Sequence, residues 1–249
     1  MRYHLFTPPD FGLCNRLRGL VGEAAYAKRV GATLHVKWDP MPACPYRYEE
    51  MFEPLQNMVL ISDVSDTTEY ACKSTDVCHF NHVLSKYGVK LTPMLNALCI
   101  ASLQPIASIR ATLRELVVQC ATAVGIHIRR TDLLEYTHKY GGPTPMEVYY
   151  KAAITNPDKR IFLACDDPDT LELFKNKFGN RVFTSMAFDA VPHEQLRKTS
   201  GVHAVLDLYG LAFCAFFQGT QHSSFTMHVC LLREAWDKVP SLLHKALAD

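Results

Sequence analysis

The chain has 249 residues, 48% of them hydrophobic, 10% aromatic and 20% charged, which at about 150 residues per domain means one large domain or two small ones with real cores. Neither a disulfide-stapled miniature nor a disordered chain fits that composition. Lys and Arg number 26 against 25 Asp and Glu, a formal charge of +1, so no global field gathers nucleic acid or anionic lipid and any anion site must be local.

The first ten residues reach Pro8-Pro9 before a secretory apolar region could develop, and the longest apolar run, residues 211–217, is far short of the roughly 18 needed to cross a bilayer. A cytoplasmic chain with no membrane span is expected. Nine cysteines without a CxxC pair fit reduced thiols better than a secreted disulfide framework. Cys72, Cys78, His79 and His82 place two sulfurs and two imidazoles close together. Their spacings match neither half of a structural zinc site, so an ordinary loop is expected there.

In chain order, residues 2–6 read as a strand. Leu17, Leu20, Val21 and Ala24 then recur at helical spacing, and Gly31 ends that helix because glycine enters the left-handed region without a Cβ clash. A strand over 33–38 closes a β-α-β unit. Residues 39–95 show little periodicity beyond a strand at 59–61. A long helix is expected over 102–119 and a buried strand over 123–128. There follow a helix at 145–155, a strand at 160–164, a helix at 168–178 ended by Gly179, and a strand at 181–183. A helix at 200–215, a strand near 216–217 and a terminal helix from about 223 complete the reading. Such alternation implies α/β architecture with parallel sheets covered on both faces and ligands beyond the carboxyl ends of the strands.

Three polar groups follow predicted strands. In the first, from His127 to Asp132, Arg129 and Arg130 leave a strand too apolar to solvate them; guanidinium forks suit phosphate and stay charged at working pH. An Arg130–Asp132 pair tying down a loop is the equal alternative. Asp166 and Asp167 before Pro168 form the second, and Asp167 read alone is a helix N-cap. The third comprises Asp207, opening an apolar helix, and the segment 219–224 with Ser223 and Ser224; hydroxyls at a helix start serve an anion or a cap equally. Gly12, Asn15 and Arg16 precede the first long helix. P-loop, GxGxxG and GxSxG patterns are absent, which disfavours P-loop kinases, nicotinamide oxidoreductases and hydrolases with a nucleophile elbow.

As a set, Gly12-Leu-Cys-Asn-Arg16, His127-Ile-Arg-Arg-Thr-Asp132, Leu163 to Pro168, Leu206-Asp207 and Thr220 to Ser224 resemble, in order and spacing, the GDP-fucose-dependent fucosyltransferases. The likeness is strongest to the α-1,6 core and bacterial nodulation enzymes, with protein O-fucosyltransferases more distant. It covers about 120–224 well and little before that beyond the first loop. The resemblance implies a GT-B-like fold, two Rossmann-like lobes with parallel sheets facing a cleft: an acceptor-side lobe over 1–118 and a nucleotide-sugar lobe over 119–249. It implies inverting transfer of L-fucose from GDP-fucose to a sugar hydroxyl of a glycan, with no metal or other cofactor. By the same likeness Arg129 grips the β-phosphate, His127 and Asp207 read guanine, and Ser223 beside Ser224 meets phosphate. Arg130 and Asp167 shape the donor site, while Gly12, Asn15 and Arg16 approach from the other lobe.

Two departures matter. Ala215 stands where the core enzymes carry an Asp, and Thr137 stands where they carry the carboxylate base, leaving Glu135 and Asp132 as candidates for that role. Two competing readings are a metal-dependent transferase using a UDP-sugar through Asp167 and Asp169, and a non-catalytic nucleotide- or carbohydrate-binding module.

Overall fold

The structure is a computed structural model that describes residues 2–6, 11–62, 71–73, 93–130, 142–185 and 200–248. Two compact units emerge, one of residues 1–106 with 234–248 and the other of residues 107–233. The expected boundary at 118/119 falls within a helix, Ala107–Cys120. No helix among the described residues is long and apolar enough to cross a membrane.

The first unit is built on a parallel sheet of β1 (Arg2–Phe6), β2 (Thr33–Lys37), β3 (Met58–Leu60) and β4 (Ala71–Lys73) in the order β3-β2-β1-β4. Helix α1 (Leu13–Arg29) buries the predicted stripe Leu17, Leu20, Val21 and Ala24. Its end is a Schellman motif: Gly31, at φ +66°, lets Gly31 N–H reach Lys28 C=O at 3.2 Å and Ala32 N–H reach Ala27 C=O at 2.8 Å. Helix α2 (Pro93–Ile100) packs on α1.

The second unit repeats the arrangement. Strands β5 (Val124–Ile128), β6 (Ile161–Cys165), β7 (Val182–Phe183) and β8 (Phe216–Gln218) form a parallel sheet in the order β7-β6-β5-β8. Helices α3 (Ala107–Cys120) and α6 (Gly201–Phe213) pack together on one side. There Gly210 lies so near the Phe162 ring that a Cβ would stand 2.7 Å from it. Helices α4 (Met146–Ile154) and α5 (Pro168–Phe178) cover the opposite side, where Tyr149, Ala153, Leu171 and Phe174 meet Val124, Ile126, Ile128, Ile161 and Leu163. Burial on both sides explains why β5 and β6 read as continuous apolar runs.

Two helix boundaries depart from the sequence reading. The helix expected from 102 begins at Ala107 because Pro105 lacks an N–H and excludes helical geometry at the residue before it; Leu103 fits the periodicity but is buried from a turn. The terminal helix is two helices, α7 (Ser224–Lys238) and α8 (Pro240–Leu247), divided at Pro240 for the same reason.

Candidate functional site

In the second unit the chain winds outward from β5 through β6 to β7 and then returns to place β8 on the other side of β5. The strand order reverses between β5 and β8, and a doubly wound sheet opens its ligand crevice beyond the carboxyl ends of the strands at such a switch point. Residues 127–130 leave β5 there and residues 219–223 leave β8 there.

The two segments are bonded to each other through Thr220. Its buried hydroxyl accepts the Arg129 N–H at 3.0 Å and donates to the His127 carbonyl at 2.9 Å. Just beyond it, His222 is the one non-glycine residue at positive φ among the described residues, at +60°. That turn brings Ser223 to the N-cap position of α7, where its C=O accepts the Met227 N–H at 3.0 Å. The Ser223 hydroxyl is buried without a hydrogen bond among the described residues. Ser224, half-buried, opens the helix beside it.

His127 is buried, stacked on Phe225 with centroids 4.8 Å apart, and its Nδ1 lies 2.8 Å from Thr226 Oγ1. Burial, reinforced by the neighbouring Arg129 guanidinium, pushes the imidazole down to about 3. The ring is therefore neutral at working pH. An unfolded chain takes up the proton below its ordinary value near 6.5, whereas the folded one refuses it down to about 3. Stability linked to this group is thus complete above pH ~6.5 and lost as the pH falls below it, about 2 kcal/mol by pH 5. Replacing His127 with Gln should flatten the acid limb of Tm against pH by that amount, and an unchanged slope would exclude the burial.

Arg129 and Arg130 are half-buried at the end of the fully buried strand. The Arg130 N–H donates to Asp166 Oδ1 at 2.7 Å, which joins the β5 and β6 ends. Asp166, not its neighbour, is therefore the carboxylate attached to this rim. Asp167 caps α5 instead: its Oδ2 accepts the Thr170 N–H at 2.9 Å and the Thr170 hydroxyl at 2.5 Å. Asp169 sits exposed in the first turn, where a carboxylate complements the helix dipole. Helix capping and the dipole account for both Asp167 and Asp169, the pair named for a metal-dependent transferase.

Asp207 does not open its helix. Ser200 caps α6, and Asp207 lies at its seventh position. Its carboxyl accepts a hydrogen bond from Ser185, beyond β7 and two strands across from β5, while Oδ1 is out of reach of solvent with no partner among the described residues. Burial pushes it up to about 7, the Ser185 bond opposing.

Gly12, Asn15 and Arg16 belong to the first unit. Gly12, at φ −66°, is the N-cap of α1, and Asn15 Oδ1 accepts from Arg18. Arg16 is buried, donating to Phe11 C=O at 2.8 Å and Asp39 C=O at 2.7 Å with its guanidinium 5.5 Å from the Trp38 ring centre. It pins the start of α1 to the segments after β1 and β2. Asp132, Glu135 and Thr137 lie outside the described residues, as do Cys78, His79, His82 and the Cys72 side chain.

Tyr149, Thr144 and Thr226 bond to these segments and were not singled out in the sequence, whereas Asp166 was singled out only as half of the Asp166-Asp167 pair. The signal for Asp166 was its place beside Asp167 after β6. Tyr149 and Thr144 carried none, since Tyr149 bonds a residue 71 positions away.

No family model matches the sequence, and no curated protein matches it. Solved structures do resemble it. NodZ alpha-1,6-fucosyltransferase co-crystallized with GDP is 19% identical with a TM-score of 0.63, over 93% of this chain and 92% of that one. Fucosyltransferase NodZ from Bradyrhizobium is 20% identical with a TM-score of 0.61, over 93% of each chain. POFUT1 in complex with GDP-fucose is 12% identical with a TM-score of 0.53, over 93% of this chain and 94% of that one. The chain therefore has the fold of the GDP-fucose fucosyltransferases.

Proposed function

We propose that the protein is a glycosyltransferase that moves L-fucose from GDP-fucose to a sugar hydroxyl of a glycan, with inversion and without a metal ion. The observation that carries this reading is the switch point of the second sheet, where Arg129, Arg130 and the unbonded, buried Ser223 hydroxyl stand on two segments bonded through Thr220. Two cations and a hydroxyl beside a helix N-terminus are groups that a diphosphate would satisfy. Fold neighbours crystallised with GDP and GDP-fucose support the choice of nucleotide.

As the bond from C1 of fucose to the β-phosphate oxygen breaks, negative charge accumulates on that oxygen. A preplaced Arg129 guanidinium then stabilises the transition state more than the ground state. Arg130 adds a second fixed charge, the work a divalent cation performs in other transferases. Neutral His127 and the desolvated Oδ1 of Asp207 are the groups assigned to guanine, whose N2 amino group donates and whose O6 accepts. Asp132 or Glu135 takes the proton of the acceptor hydroxyl as it attacks C1 from the opposite side, which inverts the anomeric centre. Two lobes facing a cleft, with the acceptor side on the first unit, belong to the same proposal.

A thermal-shift comparison tests it. At one hundred times its dissociation constant GDP stabilises by about 2.7 kcal/mol, roughly 5–10 °C for a chain of this size, and it should exceed UDP and ADP. Fucosyl transfer to a glycan panel should survive a chelator. Preference for UDP, or activity abolished by the chelator, overturns the reading.

A further inference from the structure

We infer that Tyr149, on α4 and outside the fucosyltransferase-like motifs, is a positioning residue that acts through Thr220 to hold Arg129 and Ser223 at the spacing a diphosphate requires. The inference rests on the donor-site reading above and deepens it.

The hydrogen bonds around Thr220 leave no freedom in who donates. The Thr220 hydroxyl has one proton, and that proton goes to the His127 carbonyl. Its two lone pairs then accept the Arg129 N–H and, at 2.8 Å, the Tyr149 hydroxyl, which must be the donor. With its proton so used, the Tyr149 hydroxyl has only lone pairs left for the Thr144 hydroxyl, with which it interacts. Thr144 Oγ1 in turn accepts the Gln221 N–H at 2.9 Å. A directed chain thus runs from Gln221 through Thr144, Tyr149 and Thr220 to the carbonyl of His127. It begins on the segment after β8 and ends on β5.

Burial makes the chain stiff. Tyr149 is 1% exposed, Thr220 2% and Thr144 4%, so water cannot replace a missing member without displacing its neighbours. Burial also holds the phenol above its ordinary range, which keeps the donor protonated. The ring of Tyr149 packs with Val124, Ile126 and Ile128 beneath β5, so the hydroxyl is delivered from the rigid core to the two segments that carry the phosphate-facing groups. Packing alone does not call for a hydroxyl on a ring so enclosed. The chain of bonds does.

Tyr149→Phe keeps the ring and removes the donor, and GDP and GMP distinguish positioning from folding. The expected result is a Tm within a few degrees of the wild type, GDP affinity lowered about tenfold, and GMP, which lacks the β-phosphate, changed less than about twofold. Thr220→Ser keeps the hydroxyl and should bind GDP as the wild type does. In the Thr220→Val background, adding Tyr149→Phe should cost GDP affinity nothing further, because the tyrosine acts through Thr220; if that background does not fold, the GDP-to-GMP comparison decides. Equal losses for GDP and GMP, or GDP affinity unchanged, overturn the role of Tyr149 while leaving the donor site intact. Failure of the wild type to bind GDP overturns the donor site itself.

Discussion

Arg129→Ala should lower fucosyl transfer by a factor of about one hundred to one thousand, the loss of roughly 3–4 kcal/mol seen when a preorganised donor to a developing anion is removed. Folding should change far less. The residue is half-buried and follows a strand whose own side chains form the core, and the bond that fixes its position to Thr220 is made by its backbone N–H, which alanine retains. A Tm within a few degrees of the wild type, together with a collapse in kcat, is the expected pair of measurements. Lysine should recover only part of the loss, since it restores the charge without the two-pronged geometry that guanidinium offers phosphate. A binding module has no turnover to lose. Wild-type turnover in Arg129→Ala would remove the guanidinium from the reaction.

Local rules made a large part of the fold legible. Around α5 they act together: Asp167 accepts the Thr170 N–H, Pro168 takes the first turn where its missing N–H is harmless, and Gly179 closes the helix at φ +55°. Each signal lies within a few residues of its effect. Ser102–Gln119 misled because Leu103 falls on the helical stripe, and periodicity cannot tell a side chain buried from a helix from one buried by a turn ahead of Pro105. Among the candidate residues, Arg129 and Arg130 stand out in the sequence because charge at the end of an apolar strand demands a reason. Arg16, singled out at the start of the first long helix, binds backbone carbonyls inside its own unit. Tyr149 was illegible because it has the burial of a core aromatic and its hydroxyl meets a partner that lies next to it only after β8 has returned to the side of β5.

Gly219→Ala should be the most damaging substitution of a single methyl group at this site. The position needs glycine for space, since a Cβ there would stand 2.3 Å from Thr226 Cγ2, 2.6 Å from its Oγ1 and 2.9 Å from the Phe217 ring. Thr226 cannot simply turn aside. It is β-branched, in the first turn of α7, and its Oγ1 is the partner of His127 Nδ1. Overpacking costs about 1–3 kcal/mol, and a buried imidazole nitrogen stripped of its partner adds about 1–3 more. The sum is roughly 2–6 kcal/mol, seen as a Tm lower by about 4–24 °C, with GDP binding lost alongside it. Gly12→Ala is the control, because the nearest atom to a Cβ there is the Ala43 carbonyl at an ordinary 3.7 Å and φ is −66°; it should melt as the wild type does. Adding Thr226→Ala to Gly219→Ala clears the two shorter collisions, leaving the 2.9 Å approach to the end of the Phe217 ring and the orphaned imidazole, so the double variant should regain part of the stability without regaining the nucleotide. Recovery of both would show that Thr226 only fills space and that His127 holds its orientation by stacking on Phe225 alone.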